Sequence, residues 1–317
     1  MVLVSAHTRD NIPSTEAILP SMEATTRWAL VTAVAPIAWG STYYVTHRFL
    51  PADQPLWGSA LRALPAGLLL LAVRRERPRG DWWWRAAVLG TLNMGAFFAL
   101  VYVSAQLLPT SLAATIMAVS PAAMMAVAWL ALAERPRALA VTGAAVGIGG
   151  VVLMLATGVG AVSPLGVVAS AAAMLMSATG HVLTKKWASD ADVLSVTSWQ
   201  LIAGGLVLTV AAVVIEGGPP PLTASSAAAF GYVTVIATAV AFSAWFTGLR
   251  HLDAGTVGLI GLLNPVTGVV LGMAVAGEPL TARQGFGLAL VLVGVLLGQP
   301  AARRLSRARQ PRPDLHV

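Results

Sequence analysis

The chain repeats itself, and the repeat sets strict terms on any fold. Ala-Glu-Arg-Pro, from Ala133 to Pro136, ends one apolar segment, and Gly-Glu-Pro, from Gly277 to Pro279, ends another. An offset of 144 carries Pro121 onto Pro265, Glu134 onto Glu278, Gly143 onto Gly287 and Gly150 onto Gly294. Earlier the offset is 138, taking Thr46 to Thr184, Arg48 to Lys186, Arg62 to Gln200 and Gly67 to Gly205; the difference of six fits small loop insertions. Two related halves that each hold an odd number of membrane spans must sit oppositely in the bilayer. That is the architecture of an alternating-access carrier.

Composition supplies the spans. Charged residues make up only 10% and hydrophobic residues 57% of the chain, where a soluble domain has about 25% charged. A span needs roughly 20 apolar residues to cross the hydrocarbon core. Ten such segments can be drawn, at 28–50, 55–73, 86–107, 111–132, 138–157, 165–187, 194–215, 226–249, 256–276 and 282–299. The expected fold class is an all-α membrane protein of ten transmembrane helices, arranged as two inverted five-helix repeats over residues 27–157 and 165–299. Residues 1–26 lack the basic start and apolar core of a signal peptide and read as a cytoplasmic tail. Residues 300–317 carry five arginines and read as a second, basic one.

The basic balance is a matter of topology. With the loops numbered alternately from an inside N-terminus, 17 of the 20 Lys and Arg residues fall inside; Arg48 and Arg283 fall outside, and Arg62 lies within a span. The positive-inside rule then places both termini in the cytoplasm and supports an even span count. The charge answers to anionic lipid rather than to nucleic acid. Trp82, Trp83 and Trp84, with Trp28, Trp57 and Trp187, fit anchoring at the membrane interface.

Several chemistries are excluded or disfavoured. The chain has no cysteine, which removes disulfides and thiolate metal sites. It has no Gly-x-x-x-x-Gly-Lys-Ser/Thr phosphate cradle and no His-Glu-x-x-His run. No cofactor or metal is expected, and no enzyme activity. An intramembrane lipid-modifying enzyme is the weaker alternative to a carrier; a receptor or scaffold would find little surface on loops this short. An uptake carrier and a channel stay open.

Two runs carry a family resemblance. Trp39-Gly40-Ser41-Thr42-Tyr43 followed by Arg62-Ala63-Leu64-Pro65-Ala66-Gly67-Leu68-Leu69 resembles the opening of an EamA domain, and Ala133 to Pro136 followed by Gly143 through Gly150 resembles its close. The second half resembles another EamA domain, ending in Gly277-Glu278-Pro279-Leu280-Thr281 and Gly285 through Gly294. The chain is therefore similar to the ten-span drug/metabolite transporter superfamily. The run Leu89 to Leu100 further resembles the branch of pigment (indigoidine) exporter-like proteins. The resemblance implies two inverted EamA repeats around a central cavity, in a secondary transporter that exports small organic metabolites, amino acids, aromatic or pigment-like compounds, across the inner membrane. The four-helix multidrug members use a first-helix carboxylate for proton exchange. No Asp or Glu lies between Trp28 and Leu50 here, so that coupling does not carry over. Proton coupling, exchange and facilitated diffusion all stay open, as does a homodimer.

Polar residues inside spans are costly and usually face the bundle interior, so they nominate the substrate cavity. Trp39 and Tyr43, four apart, share a face of the first span. Asn93, Phe97 and Ser104 approximately share one of the third. His181 is the repeat mate of Tyr43, Gln200 that of Arg62 and Asn264 that of Ser120; Trp245 joins them in the eighth span. The cavity candidates are Trp39, Tyr43, Arg62, Asn93, Phe97, Ser120, His181, Gln200, Trp245 and Asn264. Arg62 has two open roles: a cation for an anionic substrate group, or a long side chain that snorkels to the interface or binds carbonyls. Pro121 and Pro265 are expected to break the fourth and ninth spans as hinges. Glu134 and Glu278 end their spans, where a carboxylate opposes the helix dipole and needs compensation; Arg135 and Arg137 stand nearest to Glu134.

Overall fold

A computed structural model of the protein describes residues 15–50, 53–108, 116–155, 163–188, 191–276 and 281–299. Regular structure among them is helical, with no strand. In chain order the helices are α1 (Thr15–Phe49), α2 (Pro55–Arg74), α3 (Trp82–Gly90, a π-helical turn Thr91–Gly95, then Ala96–Leu107), α4 (Ser120–Leu132) and α5 (Ala138–Leu155). They continue as α6 (Pro164–Trp187), α7 (Val193–Ile215), α8 (Ala224–Thr234, a π-helical turn Val235–Val240, then Ala241–His251), α9 (Ala254–Gly261 and Leu263–Ala276) and α10 (Ala282–Gly298). Six helical stretches, in α2, α3, α6, α7, α8 and α9, are long and apolar enough to cross a membrane; Ser120–Leu132, Ala138–Met154 and Ala282–Gly298 are shorter apolar helices. Helices keep every backbone bond within the segment, as a lipid environment requires. Large apolar side chains point outward, Leu130 at 85% exposure, which suits a surface solvated by acyl chains.

Local chemistry sets several ends. Asp192 accepts a hydrogen bond from Ser195 N at the start of α7, and Thr223 and Thr281 form capping boxes with Ser226 and Gln284 at the starts of α8 and α10. α4 stops where Ala133 turns left-handed at φ 56°, a conformation that costs a side-chain-bearing residue roughly 1–2 kcal/mol. One expectation changes in detail: α1 extends back to Thr15, within the segment expected as a tail. The fourth and ninth spans are interrupted just ahead of their prolines, at residues 118–119 before Pro121 and at Leu262 before Pro265, where a proline's ring and missing N–H disrupt the preceding turn.

Packing is reciprocal between the halves. α5 crosses α10 with Gly143 against Gly294 and Gly150 against Gly287: a Cβ on any of the four would stand 2.5–2.6 Å from the partner's carbonyl oxygen. The offset of 144 exchanges these two contacts, and the two helices run antiparallel. α2 crosses α7 in the same manner, a Cβ on Gly67 lying 2.8 Å from Ile202 N and one on Gly205 lying 2.7 Å from Leu64 N. There the offset of 138 exchanges the contacts. Small residues let the backbones approach, and dispersion holds them.

The remaining helices trade places. α6, from the second half, packs on α3 and α4; α1, from the first half, packs on α8 and α9; α4 meets the first segment of α9. The result is two bundles, α3–α4–α6 and α1–α8–α9, beside the paired α2–α7 and α5–α10. The π-helical turns of α3 and α8 begin at Thr91 and Val235, again 144 apart.

Candidate functional site

The bundles meet in the middle of the molecule at an aromatic cluster. Trp245 of α8 is 3% exposed and lies between Trp39 of α1, centroids 5.2 Å apart, and His181 of α6, 5.4 Å apart. Phe242 tilts against Trp39 at 5.0 Å, and Phe246 stands edge-on to His181 at 5.8 Å. Positions 242, 245 and 246 fall on one helical face, so α8 presents a continuous aromatic wall. Gly261 of α9 leaves room for the indole: a Cβ there would meet its ring edge at 3.2 Å. Among the described residues Trp245 Nε1 has no hydrogen-bond partner, a rare state for a buried donor.

Polar rungs from α2 and α7 brace this cluster. Arg62 donates from Nε to Thr238 Oγ1 at 2.9 Å and from Nη2 to Ala237 O at 3.1 Å, and its guanidinium lies over Phe98 at 5.4 Å. Trp39 Nε1 donates to the same Ala237 carbonyl at 3.1 Å. That carbonyl is available because Val235–Val240 is π-helical; Thr238 Oγ1 donates back five residues to Val233 O at 2.7 Å. On the other side Asn93 Nδ2, in the π-helical turn of α3, donates to Gln200 Oε1 at 2.7 Å and to Thr184 Oγ1 at 3.2 Å. Gly180 makes space for it, since a Cβ there would collide with Asn93 Oδ1. Arg62 and Gln200 are repeat mates, and the offset of 144 sets Asn93 against Ala237. Each half therefore grips the π-helical turn of the other, once with a cation and once with an amide.

The structure brings together Trp39, Arg62, His181 and Trp245. Asn93 and Gln200 are buried and bonded to each other, and Asn93 Oδ1 and Gln200 Nε2 have no further hydrogen-bond partner among the described residues. Asn93 lies within the π-helical turn of α3 and Phe97 just beyond it, tilted against Phe98 with ring centroids 5.3 Å apart. Ser120 opens α4 half-buried, and Asn264 lies in the second segment of α9 with Oδ1 buried. The side chain of Tyr43, and Glu278 altogether, lie outside the described residues. Phe98, Thr184, Thr238, Phe242 and Phe246 belong to the site and are not singled out by sequence. The i, i+3, i+4 aromatic spacing of α8 is the available signal for the last two of these.

Arg62 reaches across to a carbonyl and a hydroxyl of the opposite half. Glu134 finds its compensation away from its neighbours. Its Oε1 pairs with Lys185 at 2.6 Å and its Oε2 accepts from Ala254 N at 3.1 Å, while Arg137 pairs with Asp253. No group of three or more His, Asp or Glu suited to a metal occurs among the described residues.

Comparison with known proteins places this architecture. Residues 26–156 and 164–298 each match the EamA-like transporter family. Protein PecM of Dickeya dadantii is 34% identical over 281 residues, covering 88% of this chain and 94% of the relative. The uncharacterized transporter YvbV of Bacillus subtilis is 28% identical, over 86% of this chain and 91% of its own length. The uncharacterized inner membrane transporter YedA of Escherichia coli K12 is 26% identical, over 82% and 87%. A solved crystal structure superposes with a TM-score of 0.77 at 19% identity, covering 88% of this chain and 99% of that one; it shares the fold. The protein is a multi-pass membrane transporter: it belongs to the EamA-like transporter family, whose domain it carries twice.

Proposed function

We propose that this protein is a secondary carrier of the cell's inner membrane, with ten spans in two inverted EamA repeats and both termini cytoplasmic. It exports small organic metabolites by alternating access. The observation that carries the reading is the reciprocal packing of the halves about one aromatic cluster. Antiparallel crossings that map onto themselves under repeat exchange make two mirror-related states of similar energy available to one chain. Trp39, Phe242, Trp245 and Phe246 offer faces for a planar solute, and the Trp245 indole N–H offers it a donor. Amino acids, aromatic metabolites and pigment-like compounds are the classes such a wall accepts, and export is the direction the family resemblance implies. Residues 27–157 and 165–299 act as the two repeats.

Counterflow in proteoliposomes tests this. Vesicles preloaded with an unlabelled solute should accumulate the same labelled solute transiently, for at least one planar or zwitterionic metabolite. Running the screen with and without a pH gradient separates proton coupling from exchange. Equilibration of labelled solute without overshoot, at a rate that preloading does not change, would point to a channel.

A further inference from the structure

At the end of the molecule where α4 and α6 finish and α9 begins, the two bundles are tied by a closed ring of contacts. Glu134, beyond α4, holds Lys185 of α6 at 2.6 Å through Oε1, and both belong to the bundle α3–α4–α6. Each then reaches across to the turn between α8 and α9 in the other bundle: Lys185 Nζ donates to Leu252 O at 2.6 Å, and Glu134 Oε2 accepts from Ala254 N at 3.1 Å. Beside the ring Arg137 pairs with Asp253 and donates to Thr256 Oγ1 at 3.1 Å. Beside these contacts lies a partly open cavity of about 220 Å³ whose walls include Met125, Ala128 and Thr256 together with Glu134, Arg137 and Asp253 themselves. The ring thus borders this cavity, held by charges and by backbone groups that need no particular side chain.

We infer that Glu134 and Lys185 form an ionic latch that shuts this end of the carrier and must open for the central cluster to be reached from it. The latch rests on the alternating-access reading. The geometry favours a latch over a permanent fastener because Glu134 and Lys185 reach across only to backbone groups of one short turn, Leu252 O and Ala254 N. The side chains of Lys185 and Glu134 remain 18% and 25% exposed, so water is within reach as an alternative partner. The glycine crossings of α5 with α10, by contrast, have no such alternative partner.

The test uses the full chain, which has no cysteine of its own. Met125→Cys places a thiol in the cavity wall, nine residues before Glu134 and so on the order of 13 Å deeper at helical rise. In inside-out vesicles a membrane-impermeant maleimide should label it slowly. Glu134→Gln or Lys185→Gln should raise the labelling rate about fivefold or more. Reversing both charges together, Glu134→Lys with Lys185→Glu, should bring the rate back towards that of the parent. Rates unchanged in the single variants, or a double reversal as fast as the singles, would overturn the latch. If one single variant fails to fold, the other and the double reversal still decide. Raised labelling in a protein that gives no counterflow would leave the latch standing and count against the transport reading; counterflow with unchanged labelling would do the reverse.

Discussion

Gly149 and Gly150 are neighbours on α5, and the structure assigns them opposite responses to one methyl group. A Cβ on Gly150 would lie 2.6 Å from Gly287 O, 2.8 Å from Val291 N and 2.9 Å from Leu290 Cβ. Two of these atoms are backbone, so no rotamer relieves them. Restoring ordinary contact at 3.4 Å means moving the helices apart by about 0.8 Å, and overpacking of this kind costs about 1–3 kcal/mol. Alanine returns up to about 1 kcal/mol in helix propensity, so Gly150→Ala should lose up to about 2 kcal/mol net. Gly149 has nothing within 4 Å of its Cβ, and Gly149→Ala should be neutral or stabilising. Reciprocity adds a stricter demand. Gly287→Ala meets Gly150 O at 2.6 Å and Met154 Cβ at 2.9 Å, so it should match Gly150→Ala. The double variant should cost less than the two together, because one separation of the helices serves both. Thermal unfolding in detergent, monitored by intrinsic tryptophan fluorescence, ranks the four proteins. Equal effects at Gly149 and Gly150, or opposite signs at Gly150 and Gly287, would refute the crossing.

The polar rungs carry two more expected outcomes. Arg62→Gln imposes the repeat mate's side chain on the cationic rung; it should destabilise by about 1–3 kcal/mol through the lost charged hydrogen bonds and weaken counterflow of anionic or zwitterionic solutes more than of neutral ones. Equal loss for all solutes would leave Arg62 with a packing role alone. Gln200→Leu leaves the Asn93 amide with Thr184 Oγ1 alone as acceptor and should cost about 0.5–1.5 kcal/mol, and Gly180→Ala, which drives a methyl into Asn93 Oδ1, should lower the melting temperature alongside it. A melting temperature unmoved by either substitution would dissolve the rung.

Much of the framework is legible in the chain, and particular residues show why. The pairs Gly143–Gly287, Gly150–Gly294 and Gly67–Gly205 stand out by offset alone, because a close crossing tolerates only a missing side chain. Trp39, Arg62, His181 and Trp245 can be nominated because polar and aromatic groups are expensive to place in a span without use. Register and partner choice are what the pattern withholds. A π-helical turn has no sequence signature comparable to a capping box. The hold of Arg62 on Ala237 O, 175 residues later, is therefore invisible in the chain. Proximity along the chain is the only distance a sequence offers, and it matches Glu134 to nearby arginines; the fold brings Lys185 instead. Pro121 and Pro265 mark the breaks in their spans from sequence, because a proline's ring and missing N–H disrupt the turn before it, and the interruptions fall there, at residues 118–119 and at Leu262.

Alternating access requires the bundles to part at this end, and locking the turn that the latch grips tests that motion directly. Arg137→Cys combined with Asp253→Cys, bridged by a short thiol crosslinker, ties the first half to the α8–α9 turn where the native pair stands. Crosslinking should abolish counterflow, and a cleavable linker should restore it on reduction. Full counterflow with the crosslink formed would contradict alternating access through this end.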